Sequence, residues 1–225
     1  MTQIAEDLLL LLLDNASAQP ALDSPRRDRA LAAAVLLDLA HQCRIHPAVS
    51  GEPAAGRLVA LDVAGAAEPP HPVAVPALRL LQTRPLRPAT AIKKLGRHTE
   101  GRLLQHLEQR GQIRRVMFSP KLFHRSYRFP LTDRDRVGSA RAALLNALFD
   151  CRPPTASTAG IVTVLHAVDG LGALLSLNDR GWRWVHARAG EIASGSWVDE
   201  SPTGLPEVNL AVTASAVRQA LAQMA

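Results

Sequence analysis

Aromatic side chains make up only 4% of this 225-residue sequence, as four Phe, three Trp and one Tyr. With β-branched residues also scarce beside abundant Ala and Leu, the composition disfavours a sandwich or barrel and favours helices packed on helices. Cysteine occurs twice, as Cys43 and Cys151. They are too few and too far apart for a disulfide scaffold or a thiolate metal site, so both are expected as reduced core thiols. Long apolar runs are missing too. The opening run of six leucines at residues 8–13 is too short to span a bilayer, and it follows Glu6 and Asp7 rather than a basic segment, which argues against a signal peptide. The protein is expected in the cytoplasm, and any membrane contact is expected to be peripheral.

Catalytic motifs are absent as well. There is no G-x-S-x-G elbow, no phosphate loop and no H-E-x-x-H pair. His41, Cys43 and His46 make an H-x-C-x-x-H group, but helical spacing does not place all three on one face and no second group completes a tetrahedron, so no metal is expected. Asp169, Gly170, Leu171 and Gly172 read as a helix break rather than a nucleotide-binding turn. The expected class is non-enzymatic, with no cofactor.

What the chain does have is a patch of positive charge. Residues 84–136 carry fourteen Lys/Arg against four Asp/Glu, a balance of +10, while the other 172 residues carry 12 − 16 = −4. Four of the eight aromatic residues, Phe118, Phe123, Tyr127 and Phe129, fall in the same stretch. Apolar rings on a basic segment suit an anionic surface, either a phospholipid bilayer or a nucleic acid.

The periodicity predicts a mostly α fold over one domain, residues 1–225: a bundle core, surrounding amphipathic helices and one protruding β-hairpin. Residues 8–13, apolar on every face, predict a short buried first helix. Residues 28–44 predict a second helix. The proline-dense stretch 47–76 reads as an extended surface excursion with a short strand-like run at 57–63. Residues 89–95 and 102–110 read as two helices joined around Gly96 and Gly101, with Gly111 as the C-cap. Residues 112–118 and 127–131 read as the hairpin arms, with Ser119, Pro120 and Lys121 at its tip. Four further helices are expected at 133–149, 158–177, 182–194 and 206–224.

Two readings compete for the patch. In the membrane reading Phe118, Leu122 and Phe123 cap the hairpin, with Arg114, Arg115, Lys121, Arg125 and Arg128 around them. Each cation near an anionic surface contributes about 1 kcal/mol and each buried apolar side chain roughly 1.5–3 kcal/mol. The sum is on the order of 8–12 kcal/mol before ordering and association costs. In the nucleic-acid reading, 89–131 is a winged helix with 102–110 as recognition helix. Leu103, Leu104 and Leu107 occupy much of that helix, so DNA is the weaker partner. A protein-binding scaffold, including self-association into a homo-oligomer, stays open because the same hairpin suits it.

The order of motifs resembles the Golgi phosphoprotein 3 family. The resemblance rests on E-D-L-L-L-L-L-L-D at 6–14, A-A-A-V-L-L-D-L-A-H-Q-C-R-I at 32–45, G-R-L-L-Q-H-L-E-Q-R-G-Q-I-R-R at 101–115 and Y-R-F-P-L at 127–131. It implies a helical domain with one protruding hairpin that inserts into membrane, and a basic pocket for phosphatidylinositol 4-phosphate. It also implies an adaptor role toward the tails of client membrane proteins. Of four pocket positions the resemblance carries over Arg97. Leu22 or Asp23 stands where the family has Trp, Ala32 where it has an early Arg, and Glu100 where it has a second late Arg. Arg26, Arg27, Arg29 and Arg102 lie near enough in sequence to assemble a displaced head-group site with Arg97, because a guanidinium fork suits phosphate oxygens. The excess of Arg over Lys, 23 to 3, is the composition of a GC-rich bacterial genome. Such a cell has no Golgi, so the expected setting is the inner face of a bacterial membrane.

Overall fold

Helices apolar on all sides belong in the middle of a protein, and two of them form the centre here. The computed structural model describes residues 4–61, 69–121, 124–199 and 204–224. In it α1 (Ile4–Leu13) buries all ten of its residues, as its leucine run requires. The second helix, α2 (Ser24–His41), is buried without a break from Ala30 to Ala40. Its alanines let neighbours approach from every side. It begins earlier than position 28 because Asp23 caps it, accepting a hydrogen bond from the Arg26 N–H at 3.0 Å, with Pro25 in the first turn.

Around this pair run α3 (Val75–Thr83), α4 (Pro88–Gln109), α5 (Asp135–Phe149), α6 (Ala156–Ala167), α7 (Asp179–Ser194) and α8 (Leu205–Ala222). α2 packs on α1, α4, α6 and α8, while α6 packs on α7 and α8. A contiguous apolar cluster extends from Ile4 to Leu221. The expectation of a mostly α fold holds.

Two short antiparallel strand pairs and two 3-10 turns, Leu171–Ala173 and Ser196–Val198, complete the described elements. β1 (Ile45–Pro47) pairs with β2 (Leu58–Ala60), Ile45 opposite Ala60, so the strand-like run expected at 57–63 contains a strand, and its partner β1 is the part that sequence reasoning did not anticipate. β3 (Val116–Lys121) pairs with β4 (His124–Arg128) as the expected hairpin. Its register shifts between Met117 and Ser119, leaving Phe118 as an extra residue, a β-bulge. Ser119, Pro120 and Lys121 pair with Ser126, Arg125 and His124, so the residues expected at the tip lie within β3 instead. No helix packs substantially on either strand, although Tyr127 of β4 packs against the core at the hairpin's foot. Phe129, just after it, is buried in the core, and its N–H donates to the Ala18 carbonyl at 2.6 Å.

Two further expectations are corrected. The turn expected around Gly96 and Gly101 does not exist, because α4 is one 22-residue helix whose apolar stripe Ile92, Leu95, Leu103, Leu104 and Leu107 is buried continuously. Without that turn there is no helix-turn-helix, and the winged-helix reading loses its geometry. Nor are the cysteines core thiols. Cys43 is half-buried and Cys151 exposed. Both lie just beyond helix ends with φ of 52°. At the end of α2 the Cys43 N–H donates to the Ala40 carbonyl and the Arg44 N–H to that of Leu39, the bonding of a Schellman cap with cysteine in the left-handed position.

Candidate anionic-surface site

The arginines in the first turns of α2 are each drawn onto a neighbouring element. Arg26 forms an ion pair with Asp23 and donates from Nη1 to the Asp169 carbonyl at 3.1 Å. Arg27 donates from Nη1 to the Leu22 carbonyl at 2.8 Å, and its Nε lies 2.9 Å from Glu100 Oε2 on α4. That contact is a charge pair rather than a hydrogen bond, because the Nε–H does not point at the oxygen. Arg29 donates from Nη1 to the Met224 carbonyl at 2.8 Å, beyond α8. All three brace the bundle.

α4 crosses α2 closely because Gly96 has no side chain; a Cβ there would meet the Asp28 Cβ and carbonyl oxygen at 3.4 Å. Arg97 follows directly and is exposed beside this crossing. Arg102, five residues on and therefore about 140° around the helix, borders a groove lined by Pro72, Val73, Pro76 and Gln105. Arg97 and Arg102 thus sit at opposite edges of the exposed face of α4, while Arg26, Arg27 and Arg29 are each drawn to a partner within the bundle. Ala32 is fully buried, and Asp23 is committed to its cap. The exposed face of α4 instead carries Lys93, Lys94, Arg97, His98 and Arg102, a basic stripe opposite the leucine stripe.

At the base of the hairpin the Arg115 guanidinium lies over the rings of Tyr127 and Phe129, 5.4 and 5.8 Å from their centres. Its Nη2 is 3.6 Å from Glu108 Oε2. Val116 and Met117, large and apolar, are exposed. Sequence reasoning passed over both, although they continue directly from Arg114 and Arg115. Of the expected membrane-contacting residues, Leu122 and Phe123 lie outside the described residues, and of Phe118, Lys121 and Arg125 only the backbone is described.

A second polar group lies on the other side of α4, where α1 meets α4 and α5. Glu6 Oε1 is 3.0 Å from His71 Nε2 and 3.2 Å from His106 Nε2. The two imidazole nitrogens are 3.2 Å apart. Arg136 holds the carboxylates from behind: Nη1 donates to Glu6 Oε2 and Nε to Asp7 Oδ1, both at 2.7 Å, and Nη1 also to Gln112 Oε1 at 2.8 Å. Burial would raise the Glu6 carboxyl, but hydrogen bonds from His71 and Arg136 outweigh it and lower its pKa to about 2. Burial raises Asp7, against the pull of Arg136, and lowers His106. Glu6 and Asp7 read in sequence only as a helix start. No local spacing joins residues 6, 71, 106 and 136.

The chain is thus a mostly α protein with two small antiparallel strand pairs, one of which exposes apolar residues at its foot, and with a basic stripe on α4. A family model described as Golgi phosphoprotein 3 (GPP34) matches residues 4–223, and the chain belongs to the Golgi phosphoprotein 3 family. This is not an enzyme family. None of the curated proteins compared matches the chain.

Proposed function

We propose that this protein is a non-enzymatic, peripheral binder of anionic phospholipid, acting on the cytoplasmic side of a membrane and offering a docking point to the tails of membrane proteins. The observation that carries this reading is the pairing of the exposed basic stripe on α4 with a hairpin whose foot exposes Val116 and Met117 beside Arg114 and Arg115. Family membership points the same way. No described helix is long and apolar enough to cross a membrane, so contact would come from the surface. With Arg26, Arg27 and Arg29 committed to internal partners, Arg97, Lys93 and Lys94 are the cations best placed to meet head-group phosphates. Charge density would then matter more than phosphoinositide identity, because a spread stripe lacks a preformed fork.

Co-sedimentation with liposomes tests this. Vesicles containing cardiolipin, phosphatidylinositol or its 4-phosphate should pellet the protein and neutral vesicles should not. A Met117→Ser/Phe118→Ser/Phe123→Ser variant should lose most of the binding, as should Lys93→Glu/Arg97→Glu. Failure to bind any anionic vesicle at low salt would overturn the reading. Binding untouched by the hairpin variant would confine the contact to α4.

A further inference from the structure

The group formed by Glu6, His71 and His106 has the geometry of a metal centre, and we propose that it binds a first-row divalent cation of the zinc type. This site shares no residue with the proposed phospholipid surface and stands independently of it. Three elements each deliver one ligand atom: α1 gives Glu6 Oε1, the segment entering α3 gives His71 Nε2 and α4 gives His106 Nε2. The three atoms form a nearly equilateral triangle with edges of 3.0, 3.2 and 3.2 Å. With bonds of about 2.1 Å to a common ion, neighbouring ligands are separated by roughly 3.0 Å in octahedral and roughly 3.4 Å in tetrahedral geometry. The triangle falls between the two. Two histidines and one carboxylate are a donor set that suits zinc and its neighbours, leaving at least one position for water.

Protons alone satisfy this triangle poorly. An imidazole Nε2 offers either one N–H or one lone pair, directed along the ring bisector. If both nitrogens carry protons, two N–H groups converge on one oxygen with the nitrogens only 3.2 Å apart. If one is bare, it can accept from the other imidazole at 3.2 Å, but then the carboxylate oxygen 3.0 or 3.2 Å away loses one of its two imidazole donors. A cation at the centre resolves both arrangements.

The surroundings are those of a supported ligand set. Arg136 occupies Glu6 Oε2 and leaves Oε1 for the site, while its bonds to Asp7 and Gln112 fix the guanidinium. The His71 carbonyl accepts from the Ala74 and Val75 N–H groups at 2.8 and 3.2 Å, which pins the segment carrying that ring. The two imidazole rings lie with centres 4.5 Å apart and planes at 79°, and their Nε2 atoms are 3.2 Å apart. The side chains of His71 and His106 retain 16% and 19% exposure, and His106 borders the groove between Pro72 and Arg102. The site is therefore supported but not sealed.

The test uses the full chain, stripped with chelator and titrated with zinc against a chromophoric competitor. One equivalent is expected to bind and raise Tm. His71→Gln and His106→Gln should each weaken binding by at least about 100-fold, while Cys43→Ser should leave it unchanged. X-ray absorption of the zinc-loaded wild type should show imidazole and oxygen ligands without sulfur. That measurement decides the matter even where a glutamine variant fails to fold. No stoichiometric zinc, undiminished binding in both folded histidine variants, or a sulfur ligand drawn from Cys43 or Cys151 would each overturn the proposal.

Discussion

Asp38 is buried on α2, where its carboxylate caps α1 by accepting the Ile4 N–H at 2.6 Å and the Ala5 N–H at 3.1 Å. Burial raises its pKa from 3.8 to about 7, against the pull of those two donors. A folded value above the unfolded one means that the native state holds the proton more tightly. Stability from this group is therefore present below about pH 4 and lost as pH rises to about 7. Asp38→Asn keeps one acceptor oxygen and removes the titration. Urea unfolding across that range should show the wild type losing stability relative to the asparagine variant, and parallel curves would refute the assignment. Cys151 poses a simpler residue-scale problem. It is exposed and left-handed, with φ of 52°, a conformation that disfavours any side chain. Cys151→Gly should therefore raise stability by about 0.5–1 kcal/mol, after the added unfolded-state entropy of glycine is subtracted. A lower melting temperature would contradict this.

At the scale of elements, α4 explains what could be read in the sequence and what could not. Local propensity sets two glycines against a helix, at roughly 1 kcal/mol each. The helix forms through them because its leucine stripe is buried along its whole length and because Gly96 permits contact with Asp28. Gly101 has no such reason: a Cβ there would meet nothing within 4 Å. Gly101→Ala should consequently stabilise the protein by about 0.5–1 kcal/mol in thermal unfolding, an outcome incompatible with a turn at that point. Strong local signals were legible. The all-apolar α1, the Gly111 cap after α4 and the hairpin over 116–128 follow from periodicity and turn chemistry. β2 lies in the run read as strand-like at 57–63, but its three-residue partner β1 is too short to carry a period, and the start of α2 was misread by four residues because Asp23 and Pro25 looked like loop. The arginines expected to cluster were legible as charge but not as partners, since the bonds of Arg26, Arg27 and Arg29 to Asp169, Glu100 and Met224 span distant parts of the chain. The Glu6, His71 and His106 group was invisible for the same reason.

Over the whole molecule, charge is segregated: +10 in residues 84–136 and −4 elsewhere. Glu100 is one of the few anions inside that segment, and it lies against Arg27 with side-chain exposures of 21% and 14%. Exchanging it for glutamine changes no backbone and leaves Arg27 its bonds to the Leu22 carbonyl and Ser24. It removes one negative charge next to Arg97. A partly exposed pair of this kind contributes about 1 kcal/mol or less to stability, so the variant should fold. If the basic stripe meets anionic lipid, one unit of added positive charge near the surface is worth about 1 kcal/mol, roughly a fivefold gain in vesicle affinity. The gain should shrink as salt shortens the screening length from about 10 Å at 0.1 M toward about 3 Å at 1 M. A hairpin-only contact predicts no gain at any salt concentration, because Glu100 is on the helix rather than the hairpin. Glu100→Gln binding measured at two salt concentrations thus separates a helix-borne contact from a hairpin-borne one, and an affinity equal to wild type at low salt would remove α4 from the membrane surface.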